Sequence, residues 1–230
     1  MKTIGLLGGM SWESSLNYYK IINRYTNELL GGQNNAKSIL YTLNFEEIEK
    51  LQYEGNWDEA SKLLEEGAIS LKKAGADFIL ICTNTMHKLL PKIKSRVDIE
   101  FLHIAKATAD EIKKEKIKKV GLLGTKFTMS EDFYKGILKE EGLEVAVPNE
   151  EDMDVVHKII YEELCLGKVK SCSKMRFLEI IDRLEDIEGV ILGCTEIGML
   201  ISQKDLEIKV FDTTSIHAKE AVKMALEVKE

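Results

Sequence analysis

The sequence predicts an α/β protein built from two similar parallel-sheet domains related by a pseudo-two-fold axis. Three observations carry this. Short apolar runs alternate with longer amphipathic segments almost from end to end, the pattern of βαβ units. The run "IGLLGGMS" at Ile4 returns as "VGLLGTKF" at Val120, 116 residues later. The cysteine-terminated run "DFILICTNT", which holds Cys82, returns as "GVILGCTEI", which holds Cys194, an offset of 112. Two landmarks in the same order at nearly the same offset argue for an internal duplication with small length differences between the copies.

The strands follow in order. "TIGLLGG", "SILYTLNF", "DFILICTNT", "FLHI", "KVGLLGT", "EVAVP", "GVILGCT" and "IKVFDT" are short, apolar and mostly closed by polar or glycine-containing residues. Between them the helical pattern runs over Glu13 to Leu30, Trp57 to Ala74, Thr108 to Lys114, Ser130 to Glu141, Asp154 to Leu166, Lys174 to Asp186 and Ser215 to Val228. Ser130, with Glu131 and Asp132 behind it, reads as a helix start because acids favour the positive end of the helix dipole. The repeat divides the chain into a first lobe of residues 1–100 plus 212–230, holding Cys82, and a second of residues 101–211, holding Cys194.

Composition narrows the function. The chain has 230 residues, 44% hydrophobic and 31% charged with two prolines, an ordinary globular balance. A net charge of -7 provides no basic field for a phosphate backbone, so nucleic acid is not expected as a partner. The N-terminal apolar stretch is too short for a secretion signal, and no run approaches the roughly 20 residues of a membrane span. These features predict a cytoplasmic protein with no membrane partner. The four cysteines, at 82, 165, 172 and 194, form no C-x-x-C and lack the clustered spacing of a zinc site. Cys165 and Cys172 read as structural thiols in a helical stretch and its loop.

Parallel strands present their carboxyl ends to a ligand crevice, so both Cys82 and Cys194 belong at such an edge. A thiol placed there, just before a helix, has its pKa lowered from about 8.5 by the helix dipole and nearby N–H groups, which favours thiolate. Thr83, Asn84 and Thr85 offer hydroxyls, an amide and main-chain N–H groups to a carboxylate, and the other copy adds Thr195 and Glu196. One thiolate and one thiol on opposite faces of a carbon remove a proton from one side and return one to the other, which inverts the centre.

The blocks "GLLGGMSWESS", "CTNTMH", "GLLGTKFTM", "YEELCLGK" and "GCTEIGMLI" together resemble the aspartate/glutamate racemase family, in its order and over nearly the whole chain. The resemblance implies an isomerase with its active site in the cleft between two α/β domains, usually a homodimer. It implies Cys82 and Cys194 as the acid/base pair, with no pyridoxal phosphate, metal or other cofactor. The implied amino-acid contacts fall on Met10, Ser11, Thr83, Asn84, Thr85, Thr195 and Lys168, the last pairing with a substrate carboxylate. Aspartate-specific members carry an arginine after the second strand; "NFEEIEKLQYEGNW" has none, and Gln52 or Lys50 stands in for it. The expected substrate is therefore glutamate, aspartate or a broader range of amino acids.

Other readings stay open. The paired glycines of "GLLGGM" do not form G-x-G-x-x-G, which argues against a dinucleotide site. His87 and His217 fit structural groups as well as ligands or proton shuttles. Glu196 suits three roles: orienting the Cys194 thiol, holding the substrate ammonium, or capping the next helix. A maleate or hydantoin type isomerase of the same fold, a non-catalytic amino-acid-binding module and a thiol redox protein are the alternatives for the whole chain.

Overall fold

A computed structural model of the chain describes residues 1–228. In order, the elements are β1 (Ile4–Gly8), α1 (Trp12–Leu30), β2 (Ser38–Thr42), α2 (Phe45–Tyr53), α3 (Trp57–Lys73), β3 (Phe78–Ile81), α4 (Leu90–Lys94), β4 (Glu100–Phe101) and α5 (Ile104–Lys114). The chain continues through β5 (Lys119–Gly124), α6 (Lys126–Ser130), α7 (Asp132–Glu140), β6 (Glu144–Ala146), α8 (Glu150–Glu162), α9 (Ser171–Asp182), β7 (Gly189–Gly193), β8 (Lys209–Asp212) and α10 (Thr213–Leu226). It divides into two compact units, one of residues 1–104 with the chain from His217 on, the other of residues 105–216. Among the described residues no helix is long and apolar enough to cross a membrane.

The first unit is a wholly parallel sheet in the order β2-β1-β3-β4. Because side chains alternate along a strand, β1 and β3 feed two cores. Ile4, Leu6, Phe78 and Leu80 pack with Tyr18 and Ile22 of α1 and with Ala218, Ala221 and Val222 of α10. Leu7, Ile79 and Ile81 pack on the other side with Ile48 of α2 and with Ala60, Leu64, Ala68 and Leu71 of α3. Fully burying each of these large aliphatic side chains contributes roughly 1.5–3 kcal/mol. Gly9 makes the turn from β1 to α1: its φ is 92°, and a Cβ there would lie 2.1 Å from the Leu43 carbonyl oxygen.

The second unit repeats the plan as β6-β5-β7-β8, again all parallel. Leu123, Val190 and Leu192 pack with Met153, Val156 and Ile160 of α8 and with Phe177, Ile180 and Ile181 of α9. Side-chain caps fix several helix starts by satisfying N–H groups that have no partner inside the helix. Ser11 accepts from the Ser14 N–H at 3.3 Å, Thr125 from Thr128 at 3.3 Å, and Asn149 from Asp152 at 2.9 Å.

Three elements depart from the sequence reading, and the Thr125 and Asn149 caps set the starts of two of them. The segment expected as one helix from Ser130 is instead α6 and α7, begun at Thr125 and broken at Glu131, whose backbone is extended at φ -88° and ψ 160°. The helix expected from Asp154 starts at its Asn149 cap and stops at Glu162. A short 3₁₀ turn, Leu164–Leu166, follows and is closed by Gly167 in the left-handed region. Helix α2 was not expected at all, although Phe45, Ile48 and Gln52 turn one face of it inward.

Candidate functional site

In the first unit the site begins where β3 ends. The Cys82 N–H donates to the Leu7 carbonyl of β1 at 2.9 Å, and the Thr83 N–H donates to the Ile81 carbonyl at 2.8 Å. The next three carbonyls are each held from a different direction. Ser14 Oγ, in the first turn of α1, donates to Cys82 O at 2.9 Å; His87 Nδ1 meets Thr83 O at 2.8 Å; the His87 N–H donates to Asn84 O at 3.1 Å. Met10, Ser11, Cys82, Thr83, Asn84 and Thr85 are all buried. The Ser14 bond ties the Ser11 turn to the Cys82 loop. Gln52 is buried too, and its Nε2 donates to Met86 Sδ at 3.0 Å, which brings α2 to the same loop. Lys50 is exposed and faces Glu54 at 3.9 Å.

In the second unit Cys194 follows β7 directly. Its Sγ donates to Glu196 Oε2 at 3.0 Å, and Thr195 Oγ1 donates to the same oxygen at 2.7 Å. Of the three roles considered for Glu196, the geometry matches orientation of the thiol; its side chain does not cap the next turn. Thr213 Oγ1 donates to Leu192 O at 2.8 Å and Thr214 Oγ1 to Thr195 O at 3.5 Å, so the start of α10 holds this loop. Lys168 lies on an exposed turn, its N–H on Glu163 O at 2.9 Å. Glu163 also accepts from Ser173 at 2.6 Å and pairs with Lys170 at 3.1 Å, which fixes that turn. Cys165 packs against the cluster that contains Cys194, while Cys172 is exposed.

The expectation of lowered thiol pKa values is overturned. Burial pushes the Cys82 thiol well up, and burial, followed by the Glu196 carboxylate and Cys165, pushes Cys194 up. Each cysteine is followed by a 3₁₀ turn, of five residues after Cys82 and three after Cys194. Loss of solvent is the largest cause of both shifts and outweighs any favourable dipole of the segments that follow. Both groups are therefore neutral thiols in the resting protein, one enclosed among hydrocarbon and one with a carboxylate as its proton acceptor.

The two cysteines are also not at matching sheet positions. Leu7 and Leu123 are equivalent in the repeat; Leu7 lies opposite Ile81 and Leu123 opposite Leu192. Cys82 is one residue past Ile81, whereas Cys194 is two past Leu192. The strands themselves keep one register, Ile79 and Ile81 packing on the side of Leu7 as Val190 and Leu192 pack on that of Leu123. The extra residue, Gly193, therefore puts the second cysteine one position later and on the other side. Cys82 accordingly packs with Phe78 and Leu80 on the α1 and α10 side, and Cys194 with Val190 and Leu192 on the α8 and α9 side. Sequence reasoning identified neither this offset nor Ser14 and Thr214, whose hydroxyls resemble any other helix-start hydroxyl until their carbonyl partners are known.

Residues 7–221 match the family model described as Asp/Glu/Hydantoin racemase. The broad specificity amino-acid racemase RacX of Bacillus subtilis (strain 168) is 27% identical over 95% of this chain and 96% of its own length. Among solved structures, a candidate Asp/Glu racemase from Yersinia pestis is 49% identical, covers 98% of this chain and 100% of its own, and superposes with a TM-score of 0.90. An aspartate racemase homologue from Pyrococcus horikoshii OT3 is 39% identical with the same coverage and a TM-score of 0.85.

Proposed function

The chain belongs to the Asp/Glu/Hydantoin racemase family, and on that premise we propose that it interconverts L- and D-amino acids with Cys82 and Cys194 as the acid/base pair and without pyridoxal phosphate. The observation that carries this reading is the delivery of one buried cysteine per unit from the carboxyl end of a central strand, on a loop whose carbonyls are pinned by hydroxyls or a histidine. For one enantiomer, Cys194 yields its proton to Glu196 and takes the substrate α-proton as a thiolate, while the neutral Cys82 thiol protonates the other face. This leaves Cys82 as the thiolate and Glu196 protonated. For the other enantiomer the Cys82 thiolate takes the α-proton and the Cys194 thiol protonates the opposite face, after which Glu196 returns its proton to Cys194. Repeated turnover in one direction balances by solvent returning a proton to Cys82 and taking one from Glu196. The carbanion has no cofactor as an electron sink, so donors of the Thr83–Asn84–Thr85 segment, Thr195 and Lys168 must stabilise the enolate formed at the α-carboxylate.

The substrate side chain is read here as neutral or mixed rather than strictly acidic. No arginine follows β2, Lys50 faces Glu54 in solvent, and the buried group on that side is the Gln52 amide against Met86. The broad specificity of RacX, as its name gives it, favours the same reading. A homodimer fits the exposed stripe of Trp12, Leu16 and Tyr19 beside Leu40 of the edge strand β2.

The test is incubation of the purified protein, without pyridoxal phosphate, with enantiopure L-amino acids in D₂O, followed by proton NMR and chiral chromatography. Loss of the α-proton with appearance of the D-enantiomer, abolished by Cys82→Ser and by Cys194→Ser, is expected. Binding without α-proton loss across the panel would turn the reading to the amino-acid-binding module; turnover of maleate or a hydantoin instead would turn it to the related isomerases.

A further inference from the structure

Three histidines gather inside the first unit, behind the Cys82 loop. The His87 ring lies 4.7 Å from that of His103 and 5.8 Å from that of His217, and both His87 and His217 are fully enclosed. Their partners fix their tautomers. His217 Nε2 faces the Leu102 carbonyl at 3.0 Å, which only accepts, so Nε2 carries the hydrogen; Nδ1 then accepts from Tyr18 Oη at 2.8 Å. His87 Nδ1 faces the Thr83 carbonyl at 2.8 Å and must donate, which leaves Nε2 to accept from the Ile104 N–H at 3.3 Å. Burial holds both rings neutral, with the His217 pKa pushed down to about 3. All four nitrogens of these two rings are committed, and among the described residues no group of His, Cys, Asp and Glu is arranged to hold a metal ion.

The bonded backbone sites have particular positions. The chain leaves the first unit after Ile104 and returns to it at His217. Leu102 and Ile104 are therefore the last residues before one crossing, and His217 is the first after the other. Thr83 is the residue after Cys82. Since a peptide is planar and trans, holding the Thr83 carbonyl also sets the direction of the Asn84 N–H.

We propose that His87 is a positioning residue for the reaction: its Nδ1–H sets the plane of the Thr83–Asn84 peptide beside Cys82, and its Nε2, with the Tyr18–His217–Leu102 chain, anchors that loop to the two points where the polypeptide crosses between units. The kinetic part of this rests on the racemase reading; the structural part does not.

Two substitutions separate the halves of the relay. In His87→Asn the amide nitrogen stands where Nδ1 stood and keeps the bond to Thr83. In His87→Gln the amide reaches the Nε2 position, keeps Ile104 and loses Thr83. With the amino acid that the wild type racemises, His87→Gln is expected to lose about tenfold or more in kcat at little change in KM, and His87→Asn to stay within about threefold of wild type, although both lose the ring and a similar part of Tm. Equal loss in the two variants, or no loss in either, overturns the proposal. ¹⁵N NMR of the wild type is expected to show neutral Nδ1–H for His87 and neutral Nε2–H for His217; a reversed or protonated His87 overturns it without reference to turnover. Should the wild type racemise nothing, the racemase reading fails alone. The tautomers, together with amide exchange at Asn84 and Thr85 that is faster in His87→Gln than in His87→Asn, then decide the anchoring.

Discussion

The Cys194 thiol and the Glu196 carboxylate share a hydrogen bond of 3.0 Å in a buried site, and Thr195 holds the same carboxylate oxygen at 2.7 Å. A negative charge beside a thiol disfavours thiolate, and a carboxylate accepting the thiol hydrogen stabilises the neutral form further. The same carboxylate is the nearest place for the proton to go. Glu196 thus favours the neutral thiol and, in the reaction proposed above, is the group placed to take its proton.

Glu196→Gln removes the charge while keeping an acceptor of the same shape. The Cys194 pKa is expected to fall, and alkylation by iodoacetamide at pH 8 to rise by about tenfold for each unit of that fall. Racemisation is expected to drop in the same variant, because the thiol has lost its base. Mass-spectrometric mapping of the alkylated peptide beside an activity assay checks both; an unchanged alkylation rate would remove Glu196 from control of the thiol.

The buried histidines give the fold a specific pH dependence. Burial lowers both pKa values, so between about pH 6.5 and the folded values only the unfolded chain takes up the proton. Their contribution to stability is complete above pH 6.5 and declines as the pH falls, by about 1.4 kcal/mol per pH unit for each histidine. Glu163, Glu188 and Asp205 are held below the usual carboxylate range and add their losses only below about pH 4.5. Urea midpoints measured from pH 7.5 to 5 should therefore fall steadily below pH 6.5, and a flat profile would contradict neutral burial.

Gly9→Ala should destabilise the fold by about 1–3 kcal/mol through the left-handed backbone alone. The added Cβ would also meet the Leu43 carbonyl, as Gly9 and Leu43 pass within van der Waals distance. Because the same turn leads into Ser11, activity should fall with Tm. Thermal unfolding followed by circular dichroism reads the first effect.

Gln52→Leu keeps the volume and removes the amide that now faces Met86. If this amide meets the substrate, KM for polar amino acids should rise by about tenfold while that for apolar ones changes little. Equal changes for both classes would take Gln52 out of the recognition surface.

Much of this architecture was legible in the sequence, for identifiable reasons. Buried parallel strands are apolar on both faces, so "IGLLG" and "GVILG" stand out as runs, and the two cysteines mark their ends. What escaped depends on partners distant in the chain. Helix α2 follows β2 after only two residues, so its start was absorbed into the strand reading. The thiol pKa shifts reverse the expected sign because desolvation is a property of the packed loop, and no local pattern around Cys82 reports it. Ser14, His87, Thr213 and Thr214 act on carbonyls that only the folded sheet brings near.

The one-residue offset between Cys82 and Cys194 at the ends of their strands bears on how the two halves are related. Two units that began as identical copies would have presented their sulfurs from corresponding sides of their sheets; here the sides differ, although each sulfur still follows its strand. The halves are thus no longer interchangeable parts. A tandem made from two first units, or two second ones, would carry both sulfurs on corresponding sides of their sheets.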